Sequence, residues 1–182
     1  MNQLITLLTI LFGTFLISIS ANIPLNVPLL DTDIPGTWQT FAVLVFAFAT
    51  NRWIGFATII LYLLIGGFGL PVFADRDSGW LVLTGNTAGY LYGFVVAGFV
   101  VGYLGEKDWK RNFGKSFAAM LIGTLIILVL GVVYLGFNIG FADGIRYGFT
   151  PFLLGAWIKI VLGTIVLPLF YMFFDKKNEF EM

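Results

Sequence analysis

The 182 residues suit one domain, but 59% of them are hydrophobic, only 11% are charged, and mean hydropathy is +0.94; a soluble chain is about 25% charged, so this one belongs in a bilayer. With no His and no Cys, Ser-His and Cys-His nucleophile pairs, Cys/His zinc sites, haem ligation by His and disulfides are all excluded, and no cofactor is expected. Ten basic residues against ten acidic ones leave no net charge to draw a nucleic acid.

A helix needs roughly 20 apolar residues to cross about 30 Å of hydrocarbon. Six runs, taken in chain order, predict an all-α integral membrane protein with six transmembrane helices in one membrane domain over 1–182. They cover about 4–21, 37–51 (a short one, entered from Thr37 and Trp38), 53–69, 86–105, 117–137 and 152–174. The long connections 22–36, which holds three Pro, 71–85 and 138–150 then fall on one side. Arg52, Lys107, Lys110, Arg111, Lys115, Lys176 and Lys177 lie on the opposite side, with the N-terminus, while only Arg76 and Arg146 sit in the long loops. The positive-inside tendency therefore makes both termini cytoplasmic, and Asp31, Asp33, Asp75 and Asp77 decorate outer loops. A cleaved signal peptide competes for the first run, since Ser18-Ile19-Ser20 precedes Ala21, but no Lys or Arg stands ahead of the apolar stretch.

No carboxylate falls within the apolar runs, which argues against proton coupling in this chain. One charge does: Lys159, eight residues past Pro151 and so roughly 12 Å along the helix. Gly155 and Gly163, four residues either side, put it on a small-residue face that packs inward, and an ammonium at that depth needs a partner, water or a ligand. Snorkelling to the outer surface is the plainer alternative. Gly85, Gly89, Gly93 and Ala97 form a second smooth face for helix packing, whereas Gly136, Gly140, Gly144 and Gly148 are read as mobile or irregular backbone. Trp38, Phe73, Trp80, Tyr90, Tyr92 and Trp157 read as an aromatic belt, with those near Lys159 available to hold an apolar ligand. Gly114-Lys115-Ser116 resembles the end of a phosphate loop, but position 109 is Trp109 rather than the required Gly and no strand precedes it, so it reads as a basic inner loop. Any ATP used would have to bind another polypeptide.

The loop motifs then carry a family resemblance. Pro35-Gly36-Thr37-Trp38-Gln39-Thr40, following Ile34, resembles the Pro-x-Thr-x-Gln-Thr start of a second helix. Gly69-Leu70-Pro71-Val72-Phe73-Ala74 resembles the Gly-Leu-Pro-Val-Phe-Ala end of a third, in the biotin-specific BioY family of substrate-binding subunits of energy-coupling-factor vitamin transporters. Thr84-Gly85-Asn86-Thr87-Ala88-Gly89-Tyr90-Leu91-Tyr92-Gly93-Phe94 and Pro151-Phe152-Leu153-Leu154-Gly155-Ala156-Trp157-Ile158-Lys159 are similar to two further motifs, in the same order. The resemblance implies a multi-pass protein of a bacterial-type plasma membrane that captures a vitamin at the outer face. Catalysis is not implied, and its partners would be a membrane scaffold subunit and two cytoplasmic ATPases. Lys159 is carried over as ligand-binding. Asn86 stands where the family has Pro, Ala88 where it has Gly, and Ala156 where it has a ligand-binding Asp three residues before the Lys. A carboxylate there would accept from a ureido N–H pair and Ala cannot, so Asn86, Thr37 or Gln39 is left to supply an acceptor for biotin, and lipoate is the alternative ligand.

Phe73 and Ala74 are expected in a loop that closes over the ligand, with Tyr90 and Trp157 among the lining aromatics. Thr14 and Ser18 are the nearest substitute for the Ala-x-x-x-Ala pattern through which some such subunits meet their scaffold. An intramembrane enzyme lacks its inventory here, offering only Lys159 near Thr164 or Thr150. A structural or assembly protein would explain the glycine faces but leave Lys159 and the loop motifs without purpose.

Overall fold

In hydrocarbon each backbone N–H and C=O must be satisfied within the protein, and a continuous helix does this for every interior residue. The computed structural model describes residues 2–25 and 36–180, with side chains through Phe173, and each apolar run is a helix in it. The helices are α1 (Gln3–Ala21), α2 (Gln39–Ala49), α3 (Arg52–Gly67), α4 (Trp80–Thr84), α5 (Ala88–Glu106), α6 (Phe113–Ile139), α7 (Phe141–Gly148) and α8 (Leu153–Phe180). Among the described residues, four helical stretches are long and apolar enough to cross a membrane: α1, α5, α6 and the run 141–173, which takes in α7 and α8 as far as Phe173. α2 and α3 are shorter apolar helices of 11 and 16 residues. Asp31, Asp33, Ile34 and Pro35 lie outside the described residues.

The predicted loops hold more structure than their composition suggested. A single 3-10 turn at Ala74–Arg76 and the short α4 occupy most of 71–85, and α7 fills 138–150. Gly140, at φ +95, reverses the chain between α6 and α7, a conformation that glycine adopts at little cost. The mobile-backbone reading of the neighbouring glycines is corrected: a Cβ on Gly144 would lie 3.0 Å from Gly136 Cα, and one on Gly148 would lie 2.5 Å from the Tyr90 hydroxyl. They are contact points between helices. At the other end α6 starts four residues before the predicted span, so Gly114-Lys115-Ser116 lies in its first turn, where Asn112 Oδ1 accepts from Lys115 N at 3.0 Å.

α5 is the axis of the bundle. Its Gly89 and Gly93 meet α6 at Tyr134 and Ile127, and α5 with α6 is the most extensive helix pair. A second small face, unseen in the sequence, runs through Gly98, Gly102 and Gly105 against Ile59, Arg52 and the Phe48 carbonyl. By contrast α1 touches the bundle along a narrow strip of Gly13, Thr14, Ile17, Ser20 and Ala21. Thr14 is 5% exposed and donates to Ile10 O and Thr58 O. That corrects the reading of Thr14 and Ser18 as an external docking pair, because Thr14 is spent on α3 inside the bundle.

Arg52, Lys107, Lys110 and Arg111 gather at one end, over the rings of Tyr103 and Tyr171. Arg52 Nε lies 3.8 Å from Glu106 Oε2, and Glu106 Oε1 accepts from the Arg52 amide at 2.9 Å, placing a carboxylate at the positive end of α3. Lys110 Nζ donates to Ala49 O and Thr50 O, both at 2.8 Å, closing the C-terminus of α2. Burial pushes the Lys110 pKa down, with Glu106 and Asp108 partly opposing it. Asn51 caps α3, accepting from the Trp53 and Ile54 amides. Asn51→Ala should therefore cost about 1 kcal/mol and lower the thermal midpoint by a few degrees, roughly 2–4 °C at this chain length. An unchanged midpoint would mean that the cap carries no stability.

Candidate ligand-binding site

A 3-10 turn at Thr150–Phe152, with Pro151 in it, leads into α8. Gly155, Lys159 and Gly163 then share one face, and that face is turned inward. A Cβ on Gly155 would approach Leu25 to 3.1 Å, and one on Gly163 would approach Met120 to 2.9 Å. Lys159, between them, is half-buried, and its Nζ donates to Thr40 Oγ1 at 2.9 Å. It does not snorkel outward. Among the described residues no carboxylate lies within ion-pair reach of it, and Ala156 offers only a methyl group one turn away.

The first turn of α2 supplies the facing wall. Gln39 is 6% exposed and its Nε2 donates to the Tyr62 hydroxyl at 2.7 Å, which in turn donates to Val72 O at 3.1 Å. This short relay ties α2, α3 and the segment after α3 together. Phe73 stands edge-on to Tyr62 with ring centroids 5.4 Å apart and fills the space left by Gly66. At 2% exposure it is a core plug in this conformation, not a loop side chain awaiting a ligand. Thr37, half-buried and bridged to Pro24, borders a cavity of about 330 Å3 lined also by Ala21, Asn22, Asp75 and Arg76. Asn22 Oδ1 accepts from the Arg76 amide at 2.8 Å and so holds the 3-10 turn over α1.

The remaining sequence candidates lie apart from this wall. Asn86 is exposed and its Oδ1 accepts from Asn138 Nδ2 at 3.4 Å. Tyr90 donates to Gly148 O at 2.6 Å, and its ring lies 5.8 Å from that of Phe152, which is two turns above Lys159, about 10 Å. Trp157 is 50% exposed and stacks on Phe117 at 6.3 Å, off the Lys159 face. The structure therefore joins Lys159 to Thr40, which sequence reasoning quoted in a motif but did not single out, and joins Gln39 to Tyr62, which it passed over as one more aromatic. Both signals were present: a polar pair at the start of an apolar helix, and a tyrosine inside an otherwise apolar run.

A wall of this kind offers hydrogen-bond donors in an apolar surround, which suits capture of a small molecule. The comparisons agree. The model of the BioY family matches residues 1–176. The chain is 36% identical over 155 residues to the biotin transporter BioY of Thermotoga maritima, covering 85% of this chain and 89% of that one. It is 34% identical over 165 residues to the biotin transporter BioY2 of Lactococcus lactis subsp. cremoris, covering 90% and 88%. In fold it is similar, with TM-score 0.80 over 94% of this chain and 95% of the other, to the crystal structure of the S-component for biotin from an ECF-type ABC transporter, at 21% sequence identity.

Proposed function

The chain belongs to the BioY family, and we propose from that premise that it is the substrate-binding subunit of a vitamin transporter, capturing biotin at the outer face of a cell membrane. The observation that carries the ligand site is Lys159, turned into the bundle and held by Thr40 with no described acid beside it. An ammonium in that setting gains most from an oxygen acceptor brought by the ligand. Thr37, Gln39, Tyr90 and Phe73 complete the proposed lining, with Thr37 at the mouth, Tyr90 above Lys159, and Phe73 required to withdraw from its seat on Gly66 if it is to meet the ligand; Asn86, exposed and bonded to Asn138, and Trp157, turned off the Lys159 face, fall outside it.

In this reading α2 and α3 cross the membrane as short helices, giving six spans with both termini in the cytoplasm. The clustering of Arg52, Lys107, Lys110, Arg111 and Lys115 at one end supports that orientation. The chain contributes no ATPase of its own; a membrane scaffold subunit and two cytoplasmic ATPases supply the energy for release. Ala156 favours a second ligand of the same shape, lipoate, since no carboxylate stands there to accept from ureido N–H groups.

Thermal unfolding of the purified protein with biotin, desthiobiotin and lipoate tests the assignment. A ligand at 100 times its Kd stabilises the folded state by about 2.7 kcal/mol. Biotin should raise the midpoint most. Stabilisation by lipoate alone would transfer the assignment to it, and no shift with any of the three would sink the ligand reading.

A further inference from the structure

Helical hydroxyls in this protein have a common habit. Those of Thr9, Thr14, Ser18, Thr50, Thr84 and Thr164 each donate to the carbonyl four residues earlier. Thr40 departs from it. The carbonyl four residues before it is that of Gly36, outside α2, which accepts instead from the Leu25 amide at 2.7 Å. The Thr40 hydroxyl accepts from Lys159, 119 residues away in sequence, and among the described residues it donates to nothing. A hydroxyl that accepts still has its own proton to give, and an ammonium with one donor used has two left. Trp38 caps α2 without a side-chain hydrogen bond, so the positive end of that helix adds to the same donor-rich corner.

Resting on the reading above that Lys159 meets the ligand, we propose that Thr40 is a positioning and specificity residue: it fixes Lys159 so that the lysine's remaining N–H groups and its own hydroxyl grip one oxygen acceptor of the ligand. The chemistry is that of a carbonyl or carboxylate oxygen, which biotin carries at both ends as the ureido carbonyl and the valerate. A ligand face made of N–H donors finds no carboxylate one turn from Lys159, since position 156 is Ala. The pair thus sets which group of the ligand is placed against α8.

Calorimetric titration of the full chain with biotin tests this. Thr40→Val keeps the shape and removes the hydroxyl, and should weaken binding about tenfold, the effect of one hydrogen bond of about 1.4 kcal/mol; Thr40→Ser should restore affinity to within about threefold of the wild type. Biotin methyl ester identifies the oxygen. If the ester suffers the same loss on Thr40→Val, the ureido carbonyl sits at the pair; if Thr40→Val costs the ester nothing further, the carboxylate does. A Thr40→Val protein that binds biotin as the wild type does, or a Thr40→Ser protein as weak as the valine variant, overturns the proposal. Lys159→Met measured alongside separates the failures. Normal binding by it removes the ligand site itself, whereas loss there with none in Thr40→Val removes only the role given to Thr40.

Discussion

Replacing Lys159 with Met weakens biotin binding by about 10- to 150-fold without lowering the stability of the ligand-free protein. The range follows from one to two hydrogen bonds made by a charged donor, about 1.5–3 kcal/mol. Met is as long as the lysine stem and packs adaptably, so the space between Gly155 and Gly163 stays filled. The two effects have opposite causes. The ammonium is costly to keep half-buried with Thr40 as its described partner, so its removal relieves the empty protein, while the ligand loses the group that would hold its oxygen. Calorimetry with biotin and a thermal melt without it read both quantities on one sample. Biotin affinity within twofold of the wild type would show that Lys159 is a structural lysine and that the ligand lies elsewhere.

Gly102→Ala lowers the thermal midpoint by about 4–8 °C. A Cβ there would lie 2.7 Å from Arg52 Cα, 2.8 Å from Arg52 N and 2.9 Å from Asn51 C. All three are backbone atoms at the α2–α3 junction and none can rotate away. α5 must back off, at an overpacking cost of about 3 kcal/mol, from which the better helix propensity of Ala returns about 1. The net of about 2 kcal/mol corresponds to that midpoint shift in a chain of this size. Gly114→Ala is the control. Its nearest neighbour would be Asn112 Oδ1 at 3.4 Å, so the melt should stay level or rise. A Gly102→Ala protein as stable as the wild type would refute the close approach of α5 to the junction.

The six apolar runs were legible because lipid demands long hydrophobic helices, but hydropathy started the fifth of them at 117, four residues late, because the capping role of Asn112 went unread. α4 and α7 were not legible, since a short helix lying outside the long runs has no length or hydropathy signature and can be polar along one side, as α7 is at Asp143 and Arg146. Glycine spacing found one face of α5 and missed the other, because periodicity shows that a face is smooth without saying how many neighbours it meets. Gly136, Gly144 and Gly148 were misread for a related reason: the same residue serves a loose loop and a tight contact. At the site, Lys159 declared itself by its charge. Thr40 did not, as a hydroxyl in an apolar helix ordinarily bonds back to its own backbone, and only the fold reveals that it does otherwise. The inward fate of Thr14 and Phe73 was hidden likewise, since exposure in a membrane protein cannot be read from polarity.

The contrast between α1 and α5 reaches beyond stability. α5 is the least apolar of the four long stretches and the most enclosed, while α1 is strongly apolar and mostly uncovered. Along α1, Leu4, Leu8, Phe12 and Phe15 stand exposed, and any of them can be exchanged for another apolar side chain at no packing cost, whereas each glycine of α5 has a neighbouring backbone or side chain lodged against it. The two helices therefore answer substitution oppositely: the outer side of α1 tolerates exchange of one apolar side chain for another, whereas on α5 the constrained positions are those that have no side chain at all.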